Sequence, residues 1–213
     1  MRTDLSFQKL CAIEELPQKE HWTVGIHGTL GSFNDEAWNK FAQEMGLATD
    51  AYTIKELVES YKVLEAVSKQ EIDIGIFAFA NSGAGGVAAA IEAMGQFNFR
   101  VLTVFTMPIS MCLLAHPEIK DIEEIKVFYG HPVALKQCSK TLSSFWPDIP
   151  TIAASDALDT ALSAKMLAHG EIPKTHAIFA SKRAASLYGL TILKEGVHHD
   201  PNNATAFAVV THR

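Results

Sequence analysis

The sequence is short of cysteine, of basic charge and of long apolar runs, and each shortage closes off a class of function. Cysteine occurs three times, at Cys11, Cys112 and Cys138, with no CxxC spacing. So few and scattered thiols form no disulfide framework and read as reduced side chains, which predicts a cytoplasmic protein. Lys and Arg total 18 against 24 Asp and Glu, a net charge of −6, and no basic cluster interrupts the chain. A nucleic-acid partner is therefore not expected. The longest apolar runs, such as ISMCLLA at 109–115, are far too short to cross a bilayer, and the acid-bearing N-terminus does not read as a signal peptide. Also missing are GxGxxG, GxxxxGK[ST], HExxH and GxSxG, so nothing points to nucleotide binding, a zinc protease or a serine hydrolase. Nine histidines are present, and His198-His199-Asp200 invites a metal reading. Adjacent side chains of an extended segment point to opposite sides, however, so no metal is predicted.

What the chain does have is apolar mass in an alternating pattern. Its 213 residues are 48% hydrophobic, enough for one large domain or two small lobes. Strand-like and helix-like stretches alternate. Strands are predicted at 23–28, 72–80, 126–130, 151–154, 176–180 and through TAFAVV near the end, with further strand-like runs in RVLTVF, PISMCLLAH and TILKE. Helices are predicted at 34–45, with Asn34 as N-cap, and over 53–67, 87–94, 131–145, the stretch beginning at Ser155, and SKRAASLYG. Such alternation predicts α/β layering with largely parallel sheets. The segment 1–22 has no evident partner element.

In open α/β sheets ligands bind where strand ends meet helix starts. Three glycine-bearing turns fit that description: IHGTLGSFND (26–35), FANSGAGG (79–86) and YGHPVALKQC (129–138). Each offers backbone N–H groups that favour an anion. Near the C-terminus the turn-forming run Asp200-Pro201-Asn202-Asn203 leads into an apolar strand, and the hydroxyl of Thr205 sits at its mouth between Ala204 and Ala206.

Taken in order, these segments resemble the catalytic domain of prephenate dehydratase. VGIHGTLGSFNDEA is similar to the family's opening strand and Gly-Pro-x-Gly-Thr-Phe-Ser turn, and GIFAFANSGAGGV to its Pro-Ile-Glu-Asn-Ser-x-x-Gly-x-Val segment. MPISMCLLA resembles the segment entering the second lobe, and YGHPVALKQC resembles Ser-His-Pro-Gln-Ala-Leu-x-Gln-Cys. ASDALDTA stands where the family has Ser-Thr-x-x-Ala, ASKRAASLYGL matches Ala-Ser-x-x-Ala-Ala-x-x-Tyr-Gly-Leu, and DPNNATAF resembles Asp-x-x-Asn-x-Thr-Arg-Phe. The similarity runs from about Val24 to Val210.

The resemblance implies an α/β fold of two lobes, similar to periplasmic binding proteins, with a cleft between them. Residues 1–100 and 187–213 would form the first lobe and 101–186 the second. It implies decarboxylating dehydration of prephenate to phenylpyruvate in phenylalanine biosynthesis, a small-molecule dicarboxylic acid as partner, no cofactor, and a homodimer. Most members carry a C-terminal regulatory domain that binds phenylalanine. The chain ends at Arg213, so none is expected here. Thr205 matches the family's catalytic threonine, the donor to the leaving oxygen. Ser32, Asn81, Ser82, Gln137, Ser155, Asn203 and Phe207 match positions that bind substrate.

The pattern also breaks. The family's arginine after the threonine is Ala206, and its glutamate before Asn81 is Ala80. Gly130, Val133, Asp156, Ser32 and Thr29 replace a serine, a glutamine, a small polar residue, a threonine and a proline. If the arginine gripped a carboxylate, another cation would have to replace it: His27, Arg100, Lys182 or Arg183. A relative that decarboxylates without aromatising, and a binding protein without chemistry, remain alternative expectations.

Overall fold

The computed structural model describes residues 6–7, 19–83, 85–155 and 158–213. Cys11 and Asp156 lie outside them, as does most of the segment 1–22. The described residues fall into two compact units.

The first unit gathers the described residues up to Thr29, Asn34–Ile109 and Asn202–Arg213. Its strands are β1 (Ser6–Phe7), β2 (Trp22–Ile26), β3 (Tyr52–Glu56), β4 (Ile74–Asn81), β5 (Gly85–Gly86), β6 (Arg100–Pro108) and β12 (Ala204–Thr211). They form one sheet in the order β1-β6-β12-β4-β2-β3, with β5 paired to β4. Helix α1 (Phe33–Glu44) packs by Trp38 and Phe41, and Phe41 stacks on Phe105, which stacks on Phe207 at 5.8 Å between centroids. Helices α2 (Ser60–Ser68) and α3 (Ala88–Met94) bring Val63, Leu64, Ala90 and Ala93 against Phe77, Ala208 and Val210. Alternation along β12 therefore sends Phe207 and Thr205 to the α1 face and Ala206, Ala208 and Val210 to the other.

The second unit comprises Leu30–Phe33 and Ser110–Pro201. Its strands are β7 (Cys112–Ala115), β8 (Val127–Gly130), β9 (Thr151–Ala153), β10 (His176–Ala180) and β11 (Thr191–Lys194), ordered β11-β7-β10-β8-β9. Helix α4 (Pro132–Phe145) starts with proline, behind an N-cap in which His131 Nδ1 accepts from the Val133 N–H. Asp159 caps α5 (Thr160–Ala168), and Ser181 caps α6 (Lys182–Tyr188). The segment 30–33 is held by side chains of this unit. Ser181 Oγ donates to the Gly31 carbonyl at 2.6 Å, and Tyr188 Oη donates to that of Leu30 at 2.9 Å. Gly31 is required twice over: its φ is +87°, and a Cβ there would lie 3.1 Å from the Ala184 backbone.

Several expectations need correction. The sheets are mixed rather than largely parallel. Helical crossovers give parallel β2/β3, β2/β4, β8/β9 and β8/β10, but the strands that carry the chain between units pair antiparallel. The chain leaves the first unit after Ile109 and returns at Asn202, further along on both counts than the crossings at 100 and 187 that the resemblance implies. It also passes through the second unit at 30–33. The predicted helix over 53–67 is a strand and a helix, because Tyr52–Glu56 completes a parallel edge on β2 before α2 begins. Asn34 does not cap α1: its Oδ1 accepts from the Ala78 N–H of β4 at 2.9 Å.

Candidate active site

The site is built where β12 begins and β4 ends. Thr205 is the register partner of Asn81 on one side and of Met107 on the other. The three therefore form one row on the α1 face of the sheet. Met107 is fully buried beside Thr205, and Phe207, two residues along the same face, is fully buried in the stack described above. The hydroxyl thus stands on an apolar floor, and Thr205 retains 9% of its surface.

Side chains from the turn after Asn81 close this end of the strand pair. The Asn81 Oδ1 accepts from the Gly83 N–H at 2.9 Å, a local loop that turns the amide so that Nδ2 faces β12. Nδ2 then donates to Asn203 Oδ1 at 2.8 Å, to Thr205 Oγ1 at 3.0 Å and to the Ala204 carbonyl at 3.1 Å. Ser82 extends the ladder: its N–H donates to the Ala204 carbonyl and its Oγ accepts from the Ala204 N–H at 3.0 Å. Its hydroxyl also meets the Asn202 carbonyl at 3.3 Å. The Asn203 carbonyl accepts from Ile109 N–H at 2.8 Å, tying the turn to the strand leaving β6. The result is a rigid polar rim on a hydrophobic base, which suits an acceptor oxygen of a bound molecule.

The structure thus brings Asn81, Ser82, Asn203 and Thr205 together in the first unit. Ser32, Gln137 and Ser155 lie in the second. Phe207 is a correction: with no exposed surface and Phe105 stacked on it, it is a core residue that offers nothing to a ligand. The glycine turn at 79–86 is also not a loop running straight into a helix. Gly85 and Gly86 fold back as β5 on Asn81 and Ala80, so the backbone N–H groups expected to bind an anion are partly spent on a hairpin.

Of the proposed substitute cations, Arg100 pairs with Thr211 at the far end of β12, about 20 Å along the strand from Thr205 at roughly 3.3 Å per residue. Lys182 bridges Glu195 at 2.5 Å, in the second unit. Ala206 and Ala80 are register partners and so share a face of the sheet, opposite to the face of Thr205. A side chain at 206 starts on the wrong side of the sheet to work with the Thr205 hydroxyl. In the second unit, burial pushes the Cys138 thiol up to about 12, which leaves it inert as a nucleophile at neutral pH. His198 Nδ1 accepts from the Met111 N–H at 3.3 Å, a structural use of a residue that had suggested metal. Met107 is the part of the site that sequence reasoning missed. Its only signal was its place in the MPIS segment, because strand register cannot be read from residue spacing.

The family model for prephenate dehydratase matches residues 24–213. The chain belongs to the prephenate dehydratase family. It is 31% identical over 188 residues to arogenate dehydratase 1 of Petunia hybrida, an alignment covering 88% of this chain and 41% of that one. It is 32% identical over 146 residues to arogenate dehydratase/prephenate dehydratase 1, chloroplastic, of Arabidopsis thaliana, covering 68% of this chain and 36% of that one. The chain therefore spans about two fifths of the length of these curated relatives. Among solved structures, the prephenate dehydratase of Arthrobacter aurescens in complex with L-Phe superposes with a TM-score of 0.75 at 24% identity, over 90% of this chain and 60% of that one. The family is thus one of lyases, and the mixed α/β architecture described above is its fold.

Proposed function

We propose that this chain catalyses the decarboxylating dehydration of a prephenate-type acid, prephenate or arogenate, with Thr205 as donor to the leaving oxygen. The bond from the ring to its carboxylate breaks and releases CO2. The electron pair moves through the ring, which becomes aromatic, and the ring–oxygen bond opposite breaks. The departing hydroxide takes one proton and leaves as water. Prephenate would give phenylpyruvate and arogenate would give phenylalanine.

The chemistry needs no redox partner and little acid strength. A threonine hydroxyl is too weak an acid to surrender its proton outright, so its role is that of a fixed hydrogen-bond donor, with solvent completing the water. The observation that carries the reading is the Thr205 hydroxyl itself, held by Asn81 at 3.0 Å on the apolar floor of Met107 and Phe207. An aligned donor in such surroundings stabilises developing negative charge more than water does. The relatives' names, arogenate dehydratase and arogenate dehydratase/prephenate dehydratase, support both acids as candidate substrates.

The test is direct. Purified protein is incubated with each acid; phenylpyruvate is followed by its absorbance in alkali and phenylalanine by chromatography. Product from either acid supports the reading. A non-aromatic keto acid would point to decarboxylation without dehydration, and thermal stabilisation by ligand without product would point to a binding protein. Either result overturns the proposal.

A further inference from the structure

We infer that Asn81 is a positioning residue: it donates to both Thr205 and Asn203, and so turns them into a pair of outward donors matched to an acceptor oxygen. The inference rests on the proposed function and specifies how its donor is set.

The hydrogen bonds allow one polarity. Gly83 N–H donates to Asn81 Oδ1, so the amide nitrogen must be the atom facing β12. From there it donates to Thr205 Oγ1 at 3.0 Å and Asn203 Oδ1 at 2.8 Å. Because Thr205 Oγ1 already accepts, its own hydrogen points elsewhere, and among the described residues this is its one hydrogen bond. Likewise Asn203, with its Oδ1 engaged, presents Nδ2 away from Asn81, and among the described residues that amide nitrogen has no acceptor. Asn203 and Thr205 keep 6% and 9% of their surface, so little water reaches either residue. A nearly buried donor without an acceptor is costly and awaits a partner of the opposite kind. A ring hydroxyl oxygen that gains negative charge as it departs is such a partner. A site of the reverse polarity, in which Thr205 donated to residue 81, would leave nothing to offer it.

The test reverses the polarity with little change of shape. In Asn81→Asp the carboxylate keeps the Gly83 contact but accepts from Thr205 and Asn203, drawing both donors inward. We expect kcat on the accepted acid to fall at least as much as in Thr205→Ala, on the order of a hundredfold or more, with KM within about threefold of the wild type. In a Thr205→Ala background the same change at 81 should cost clearly less than in the wild type, about tenfold at most, since only the Asn203 donor is then left to turn away. If Asn81→Asp does not fold, as judged by its thermal midpoint, Asn81→Ala takes its place in the same cycle. Losses that multiply, or Asn81→Asp turnover within threefold of the wild type, overturn the inference and leave the proposed function standing. Wild-type protein that turns over neither prephenate nor arogenate overturns both.

Discussion

At the scale of single residues, Thr205 and Phe207 show how two positions of one motif divide their work. They share a face of β12, but Thr205 lies at the strand mouth with its hydroxyl held by Asn81, whereas Phe207 is buried against Phe105. Thr205→Ala removes a hydroxyl whose one hydrogen bond among the described residues is accepted. It should lower kcat by about a hundredfold or more, with the thermal midpoint nearly unchanged. Full turnover in that variant would end its role as donor. Phe207→Ala should behave oppositely. Truncating a fully buried aromatic typically costs about 3–5 kcal/mol, so urea denaturation should show a large loss of stability. The resemblance alone cannot tell such neighbours apart, because a motif records residue types and not which of them the sheet covers. Asn81, Ser82 and Asn203 were legible as polar positions. That one amide bonds residues 122 and 124 positions away was not, since it depends on strand register.

At the scale of elements, the pairing of β4 with β12 changes the meaning of the two alanines. The family resemblance implies a glutamate and an arginine at 80 and 206, and taken singly the missing arginine looks like a lost substrate anchor. Register makes the two positions direct neighbours on the face away from Thr205, so the losses are coupled: neither leaves a charge behind without the other. Ala206→Arg alone should therefore leave KM for the accepted acid unchanged and lower the thermal midpoint. Adding Ala80→Glu should recover part of that loss, since a cross-strand pair of opposite charge contributes roughly 0.2–1 kcal/mol. A marked fall in KM in the single variant would restore the anchor reading. On the second sheet, Ser181 both caps α6 through Ala184 N–H at 2.9 Å and holds the Gly31 carbonyl. Ser181→Ala removes both contacts and should destabilise the protein by about 1–2 kcal/mol, measured by chemical denaturation. Most elements were legible from apolar periodicity. The strand at Tyr52–Glu56 was not: its residues also fit a helical pattern, and the parallel edge offered by β2 decided the matter.

At the scale of the whole molecule, pH should act on stability through histidines of the second unit. Burial lowers the affinity of His176 for protons, and its Nδ1 is buried with no hydrogen-bond partner among the described residues. Burial likewise lowers that of His198, with Asp200 opposing and His199 adding to the effect. Groups so depressed stay neutral in the folded protein while the unfolded chain binds protons, so stability is full above the unfolded value of about 6.5 and falls as pH drops below it. The thermal midpoint should decline between pH 7 and 5, and His176→Gln should make that decline shallower. An unchanged slope would remove His176 from the account. The amino-acid sequence by itself determined the α/β class, the order of most elements and the membership of a family, because these rest on local periodicity and on short motifs read in order. Tertiary structure alone decided that the sheets are mixed, that the chain crosses at Ile109 and Asn202, and that Thr205 faces Asn81 while Ala206 faces Ala80. Those facts depend on which distant strands pair and in what register, and a shift of one residue would carry every side chain to the opposite face.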